Sequence, residues 1–141
     1  MRDQVIVDTG PIVAFINGRD RYHGWTKGQW AEIRPPLLTC EAVVSEACFL
    51  VRRFAGAEAV ILELLQREIL QIPFRLSDCV GQIVWLLKKY ADIPMSLADA
   101  CLVRMAESYE GSLVFTIDKD FTVYRKNKRA RIPVILPPDL K

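Results

Sequence analysis

Short apolar runs alternate along this chain with longer stretches in which apolar residues recur at helical spacing. The first run, residues 4–7, is rich in β-branched residues and predicts a buried strand. Similar runs predict strands at residues 37–38, 70–72, 113–116 and 134–136. Because apolar strands separated by helices are typical of a parallel sheet covered on both faces, the pattern predicts an α/β fold.

The intervening stretches predict helices. Apolar positions at helical spacing cover residues 12–17, 23–31, 40–54, 60–65, 80–90 and 97–106. Thr39, Ser77 and Ser96 each precede one of these stretches, so we expect their hydroxyl groups to cap the helix starts. Trp25 and Trp30 are interpreted as packing residues, because exposed aromatic residues that stack on nucleobases usually lie among basic ones.

The length and composition of the chain limit the class of protein that it can be. The chain has 141 residues, of which 51% are apolar and 26% charged. This excludes a disordered or low-complexity chain, and we predict a single domain spanning residues 1–141. No apolar run approaches the roughly 18 residues of a membrane span, and the N-terminal residues lack the pattern of an export signal. We therefore expect a cytoplasmic protein that does not associate with a membrane.

The number and spacing of the cysteines and histidines limit the kinds of metal site and catalytic mechanism that the chain can have. The four cysteines are widely spaced without a C-x-x-C pair, so they predict neither a zinc cage nor a disulfide framework. We expect them to be buried, reduced thiols. The single histidine, His23, excludes mechanisms that need two imidazole groups. Acid chemistry must therefore come from carboxylates.

The net charge of +2 is unevenly distributed along the chain. Residues 1–118 contain 12 lysines and arginines against 15 aspartates and glutamates, or −3, whereas residues 119–141 contain 7 against 2, or +5. Such a basic segment indicates a surface that binds a polyanion. A solvated loop ahead of the last strand explains the same charges, so both interpretations stay open.

Two aspartates follow predicted strands, Asp8 after residues 4–7 and Asp118 after residues 113–116. In open parallel sheets ligands bind beyond the carboxyl ends of the strands, so both carboxylates are placed to enter one crevice. Taken singly, each is also explained as a turn or capping residue.

Two further acids lie in predicted helices. Glu46 lies within an apolar run, where an ordinary solvent-facing position explains it as well. Asp99 ends the sequence S-L-A-D, a capping box that begins at Ser96. A carboxylate in this first turn is able both to cap the helix and to point beyond its start.

Converging carboxylates without basic neighbours repel one another and acquire raised pKa values unless a hard divalent cation neutralises them. Mg²⁺ and Mn²⁺ prefer oxygen ligands of this kind. Such ions activate water and stabilise charge on a phosphodiester, which suits an enzyme that lacks a usable histidine.

Four motifs in order resemble the PIN-domain family, particularly the VapC-like ribonuclease toxins. They are V-D-T-G-P at 7–11, T-C-E-A-V-V-S-E at 39–46, S-L-A-D-A at 96–100 and T-I-D-K-D-F at 116–121. The resemblance covers nearly the whole chain, from about residue 4 to 136. It implies a three-layer α/β/α sandwich with a mainly parallel sheet, and an endoribonuclease that depends on Mg²⁺ or Mn²⁺.

The resemblance also assigns residues to roles. The catalytic and metal-binding quartet is Asp8, Glu46, Asp99 and Asp118, with Asp120 as an additional metal ligand. The hydroxyl groups that support these acids are those of Thr9, Ser96 and Thr116. His23 matches a position that we interpret as structural. Independently of the resemblance, the charge distribution predicts which residues contact the RNA backbone: Arg125, Lys126, Lys128, Arg129 and Arg131.

The partners implied by the resemblance are an RNA substrate, a small antitoxin protein and a second copy of the chain in a homodimer. Two alternatives remain: a solitary RNA-processing nuclease, and a non-catalytic module that binds RNA through the basic segment. A phosphatase with Asp8 as nucleophile is less consistent with the sequence, because the second acid expected in haloacid-dehalogenase-like enzymes is replaced by Gly10.

Overall fold

A computed structural model describes residues 1–141. The strands are β1 Val5–Val7, β2 Leu37–Leu38, β3 Leu70–Gln71, β4 Leu113–Phe115, β5 Arg125–Lys126, β6 Ala130–Arg131 and β7 Val134–Ile135. Five of them form a parallel central sheet in the order β3-β2-β1-β4-β7, and β5 and β6 form an antiparallel hairpin. The helices are α1 Thr9–Ile16, α2 His23–Ala31, α3 Glu41–Leu50, α4 Ala57–Gln66, α5 Val80–Lys89 and α6 Leu97–Ser108.

Helices flank the parallel sheet, which confirms the predicted α/β/α class. The central strand β1 is buried at all three of its residues, so both of its faces are covered. Helix α6 is the longest, with 12 residues, and most of its side chains are buried against the sheet and neighbouring helices. None of the helices combines the length and apolar character that a membrane crossing requires.

The pairing of β1 with β4 determines where the site forms. These strands are parallel neighbours, and Val7 pairs in register with Phe115. The residues that follow them, Asp8 and Thr116, therefore leave the sheet side by side at its carboxyl edge.

Two predicted helix caps are wrong. The hydroxyl group of Thr39 donates to the carbonyl oxygen of Val7 at 3.0 Å and so links β2 to β1 instead of capping α3. Ser77 lies inside a 3₁₀ turn, Leu76–Asp78, and α5 begins only at Val80. The third cap is confirmed, because Ser96 forms the capping box of α6.

Some boundaries also differ from the sequence prediction. Helix α1 begins three residues earlier than expected, because Asp8 accepts a hydrogen bond from the amide of Thr9 and acts as the N-cap. The helix predicted over 40–54 ends at Leu50. The basic segment, interpreted as either a polyanion-binding surface or a solvated loop, contains a short β-hairpin, β5–β6.

The interpretation of Trp25 and Trp30 as packing residues is confirmed, whereas the prediction of buried cysteines holds for three of the four. Trp30 is buried and packs on Phe15 and Phe115, while Trp25 meets Phe115 edge to face. All four cysteines are free thiols, three of them buried and the fourth half-buried. The Nδ1 atom of His23 lies 2.7 Å from the carbonyl oxygen of Ala14, which fits a structural role.

Candidate active site

Asp8 occupies the turn between β1 and α1 and is almost fully buried, with 6% of its surface exposed. Its amide donates to the carbonyl oxygen of Phe115 at 2.9 Å, which continues the ladder of β1 and β4. Its Oδ1 accepts from the amide of Thr9 at 2.8 Å. Its Oδ2 accepts from the hydroxyl group of Thr116, also at 2.8 Å. The carboxylate orientation is therefore determined by both flanking elements.

Thr116 connects two of the acids. The hydroxyl oxygen that donates to Asp8 also accepts from the amide of Asp118 at 2.9 Å. Asp118 in turn accepts from the amide of Asp120 at 2.9 Å through Oδ1. One buried hydroxyl group thus sets the positions of the Asp8 side chain and the Asp118 backbone together.

The side chain of Asp99 extends from the first turn of α6 towards Asp8 and Asp118. Its amide donates to Ser96 Oγ at 3.0 Å, while its Oδ2 accepts from the Ser96 amide at 3.2 Å. The buried hydroxyl group of Tyr124 donates to the same Oδ2 at 3.1 Å. Because both hydrogen bonds to the Asp99 carboxylate engage Oδ2, Oδ1 stays available to a ligand.

The three aspartates converge. One carboxylate oxygen each from Asp8, Asp99 and Asp118 lies within 4.8 Å of the other two. They line a crevice of about 410 Å³, and Glu46 lines it from α3 with an exposed side chain. Of the expected supporting residues, Thr9 and Ser96 line the crevice, whereas Thr116 is buried behind it. Asp120 is half-buried outside this group and interacts with Asp118 through its backbone.

The carboxylates of the crevice have no basic side chain to balance their negative charge. None of the ion pairs in the structure involves the three aspartates. Burial raises the pKa of Asp8 to about 7, although its hydrogen bonds from Thr116 and Thr9 oppose that rise. Burial is also the main cause that raises the pKa values of Asp99 and Asp118. The site as it stands favours a positively charged species.

A family model described as PIN domain matches residues 5–127. The chain belongs to the PIN-domain family. It is 26% identical over 136 residues to Ribonuclease VapC26 of Mycobacterium tuberculosis (strain ATCC 25618 / H37Rv), covering 93% of this chain and 99% of that protein.

The fold of this PIN domain also matches a solved structure, the Mycobacterium tuberculosis VapC20 toxin, which is described as cleaving the sarcin-ricin loop. The TM-score is 0.74 at 23% identity, and the match covers 84% of this chain and 93% of that one. At this level of identity the similarity supports the fold of the PIN domain.

The donor set of this PIN domain fits a hard divalent cation. Three carboxylates within 4.8 Å of one another offer only oxygen, and no nitrogen or sulfur ligand belongs to the group. The Thr9 hydroxyl is buried beside them without a hydrogen-bond partner, which leaves a polar atom free at the edge of the crevice. Asp8, Asp99 and Asp118 are the residues that would hold such a cation.

The basic residues of the PIN domain are not part of this crevice. Nη1 of Arg125 is used structurally, because it donates to the carbonyl oxygens of Thr122, Val123 and Tyr124 at 2.8 to 3.1 Å. Lys128, Arg129 and Arg131 are exposed on the hairpin, and Lys126 is half-buried.

Sequence reasoning missed Tyr124. Its side chain is fully buried, and its hydroxyl group contacts Asp99 across 25 positions of sequence. The available signal was an aromatic residue directly before a run of basic ones, which by itself gives no reason to expect a contact with α6. Burial and the neighbouring Asp99 raise the Tyr124 pKa, so this phenol keeps its proton and acts as a donor.

Proposed function

We propose that this PIN domain is a divalent-metal-dependent endoribonuclease and the toxin of a toxin–antitoxin pair. The observation that carries the proposal is the group of Asp8, Asp99 and Asp118, whose carboxylate oxygens lie within 4.8 Å without a basic partner. Family membership over residues 5–127 supports a nuclease function for such a group. Similarity to Ribonuclease VapC26 along almost the full length of both chains supports RNA as the substrate.

Each residue of the site has a defined part in this proposal. Asp8, Asp99 and Asp118 hold the ion, and Glu46 adds a carboxylate from the exposed rim formed by α3. Asp120 lies next to Asp118 and contributes negative charge from outside the group. The ion supplies the positive charge that activates water and stabilises the charge developing on a phosphodiester.

The hydroxyl groups of the site position its carboxylates. Thr116 orients Asp8 through Oδ2, and Ser96 orients Asp99 through the capping box. Thr9 supplies a buried amide that fixes the other oxygen of Asp8. Since folding has already oriented these groups, the metal-loaded site requires little reorganisation when substrate arrives.

The test is cleavage of a labelled RNA by purified protein with Mg²⁺ or Mn²⁺, with and without excess chelator. We expect cleavage that requires the ion and is abolished in Asp8→Asn. Asp3→Asn, which removes an exposed carboxylate outside the crevice, should leave the rate unchanged. Undiminished cleavage in chelator would overturn the metal dependence. RNA binding without any cleavage would favour the non-catalytic module.

The proposed partners follow from the same reasoning. We infer that residues 1–141 act as one nuclease domain in the cytoplasm, as a homodimer, in complex with a small antitoxin that occupies the acidic crevice. The negative charge of Asp8, Asp99 and Asp118 suits a basic side chain of such a partner. Light scattering of the isolated protein tests the dimer, and the presence of an adjacent antitoxin gene separates the toxin from a solitary RNA-processing nuclease.

A further inference from the structure

One tryptophan of the chain lies apart from the aromatic core. Trp85 projects from α5 with 41% of its surface exposed, whereas Trp30 is buried and Trp25 packs on Phe115. Its indole ring has two ammonium groups nearby, those of Lys89 at 5.1 Å and Lys128 at 5.5 Å from the ring centroid. An exposed aromatic ring among cations is the arrangement that proteins use to stack nucleobases.

A cavity of about 230 Å³ adjoins this ring. It lies between α5, α6 and the tip of the basic hairpin, and the residues that line it include Gln82, Trp85, Asn127 and Lys128. The one acid that lines it, Glu107, is already engaged, because its two oxygens accept from the Asn127 amide and from Arg104. The cavity therefore offers an indole face, side-chain amides and an ammonium group to a ligand.

The backbone conformation at the tip of the basic hairpin makes the lysine at position 128 unusual. Asn127 and Lys128 both have positive φ, 49° and 71°, in the turn closed by the hydrogen bond from the Arg129 amide to the Lys126 carbonyl. Glycine is the residue that such a φ favours at the second position. The chain instead carries a lysine there, and its ammonium group lies beside Trp85. The local backbone preference does not explain that lysine.

The surrounding charge selects the kind of ligand. Lys88, Lys89, Lys128, Arg129 and Arg131 are all exposed, and none of them belongs to an ion pair. A second copy of the chain would bring the same positive charges to a symmetric contact, so self-association at this face is opposed by repulsion. A polyanion that also carries flat aromatic rings matches both the charge and the indole.

We propose that Trp85, Lys89 and Lys128 form a second RNA-binding site, in which a nucleobase stacks on the indole ring and the two ammonium groups contact flanking phosphates. The inference takes RNA as the ligand class from the proposed function. Glu107, at the edge of this site, lies eight residues after Asp99 on α6, a helix length of about 12 Å. One RNA strand is able to span that distance and to occupy both places.

The test measures binding of a short oligouridine in excess chelator, so that no cleavage is required. We expect the oligouridine to quench tryptophan emission, and Trp85→Leu to lose that quenching and bind at least about fivefold more weakly. Lys128→Gly should flatten the dependence of log affinity on log salt by roughly 0.7, since one phosphate contact is lost. Because glycine suits the turn, this variant is expected to fold normally.

Matched controls separate this site from general attraction. Lys27→Ala removes an exposed lysine from α2 and is expected to leave affinity unchanged. An abasic phosphate oligomer of equal length should bind more weakly and leave the emission unquenched. Equal affinity of wild type and Trp85→Leu for oligouridine would overturn the inference. So would a Trp85→Leu variant that changes the oligomeric state of the protein but not its affinity for oligouridine.

These outcomes are distinct from those of the proposed function. Metal-dependent cleavage by wild-type protein, together with unchanged binding in Trp85→Leu and Lys128→Gly, would leave the nuclease proposal intact and remove the second site. Weakened binding in both variants, without any cleavage by wild type, would support the second RNA-binding site and overturn the nuclease proposal.

Discussion

The hydroxyl group of Tyr124 donates to Asp99 Oδ2 at 3.1 Å and joins the residue before β5 to the first turn of α6. The ring of Tyr124 is fully buried and packs edge to face on Tyr90 and Phe121. Because β5 begins at the next residue, this contact also ties the basic hairpin to the acidic site. Tyr124 is therefore a positioning residue for Asp99.

We predict that Tyr124→Phe weakens metal binding while the fold survives. Removing the hydroxyl group frees Asp99 Oδ2 from one of its two donors, and loss of a partner that orients a metal ligand typically lowers affinity by about 10-fold to 100-fold. A Mn²⁺ titration followed by thermal shift measures this change. Tyr90→Phe is the control, because Tyr90 accepts from the Arg125 amide and does not contact Asp99. Equal metal affinities in the two variants would contradict the prediction.

Thr116→Val should reduce both stability and activity. The substitution preserves shape but leaves the Asp118 amide and Asp8 Oδ2 without the hydroxyl group that serves them. An unpaired buried group of this kind costs about 1 to 3 kcal/mol of unfolding free energy, which urea denaturation measures. Thr116→Ser retains the hydroxyl group and should behave nearly as wild type. If valine and serine variants are equally stable and active, the bridging role is wrong.

The stability of the metal-free protein should fall as pH rises from about 4 to 7. The Asp8 pKa increases from 3.8 unfolded to about 7 folded, so the folded state binds more protons within that window. The stabilising effect of the protonated carboxyl group is complete below the unfolded pKa and is lost as pH passes the folded one. Asp99 and Asp118 shift in the same direction and add to the slope.

Thermal unfolding in chelator across this pH range measures the slope, and Asp8→Asn should flatten it and stabilise the protein near pH 7. Asp3→Asn removes an exposed carboxylate and should leave the slope in place. Addition of Mn²⁺ should raise the melting temperature of wild type more than that of Asp8→Asn. A slope that is identical in wild type and Asp8→Asn would show that other groups cause it.

Amide substitutions in the acidic site should have graded effects on catalysis. Asp99→Asn and Asp118→Asn are expected to remove most activity while the fold persists, because each deletes a charge from a repelling group. Glu46→Gln should also be severe, since Glu46 extends the carboxylate surface of the crevice. Asp120→Asn should cost less, because Asp120 lies outside the converging group. The rate constant at saturating RNA and metal measures the order.

The sequence predicts the fold and much of the acidic site because the relevant signals are local. The apolar run before Asp8 and the clear strand before Thr116 identify two carboxyl ends of a parallel sheet, and topology then brings them together. Ser96 and Asp99 form a capping box whose spacing is written in four consecutive residues.

The errors arise where distant contacts compete with local preference. Thr39 satisfies the rule for a helix cap, yet the carbonyl of Val7 on the neighbouring strand takes its hydrogen bond. The sequence did not identify Tyr124 as a site residue, because its hydrogen-bond partner Asp99 is on α6 and the residues next to Tyr124 do not predict that contact. The hairpin within the basic segment escaped prediction since its turn, Asn127 and Lys128, lacks the glycine that usually marks one.

The pairing of β1 with β4 has a consequence for synthesis of the protein on the ribosome. The hydrogen bond from Thr116 to Asp8 joins residues separated by 108 positions, so the acidic site does not exist until β4 has emerged and docked beside β1. Chains fold progressively from the N-terminus as they are made. A nascent or prematurely terminated chain that lacks the last strands carries Asp8 and Glu46 without Asp118. Such a fragment has an incomplete acidic site, so assembly of the site depends on completion of the sheet.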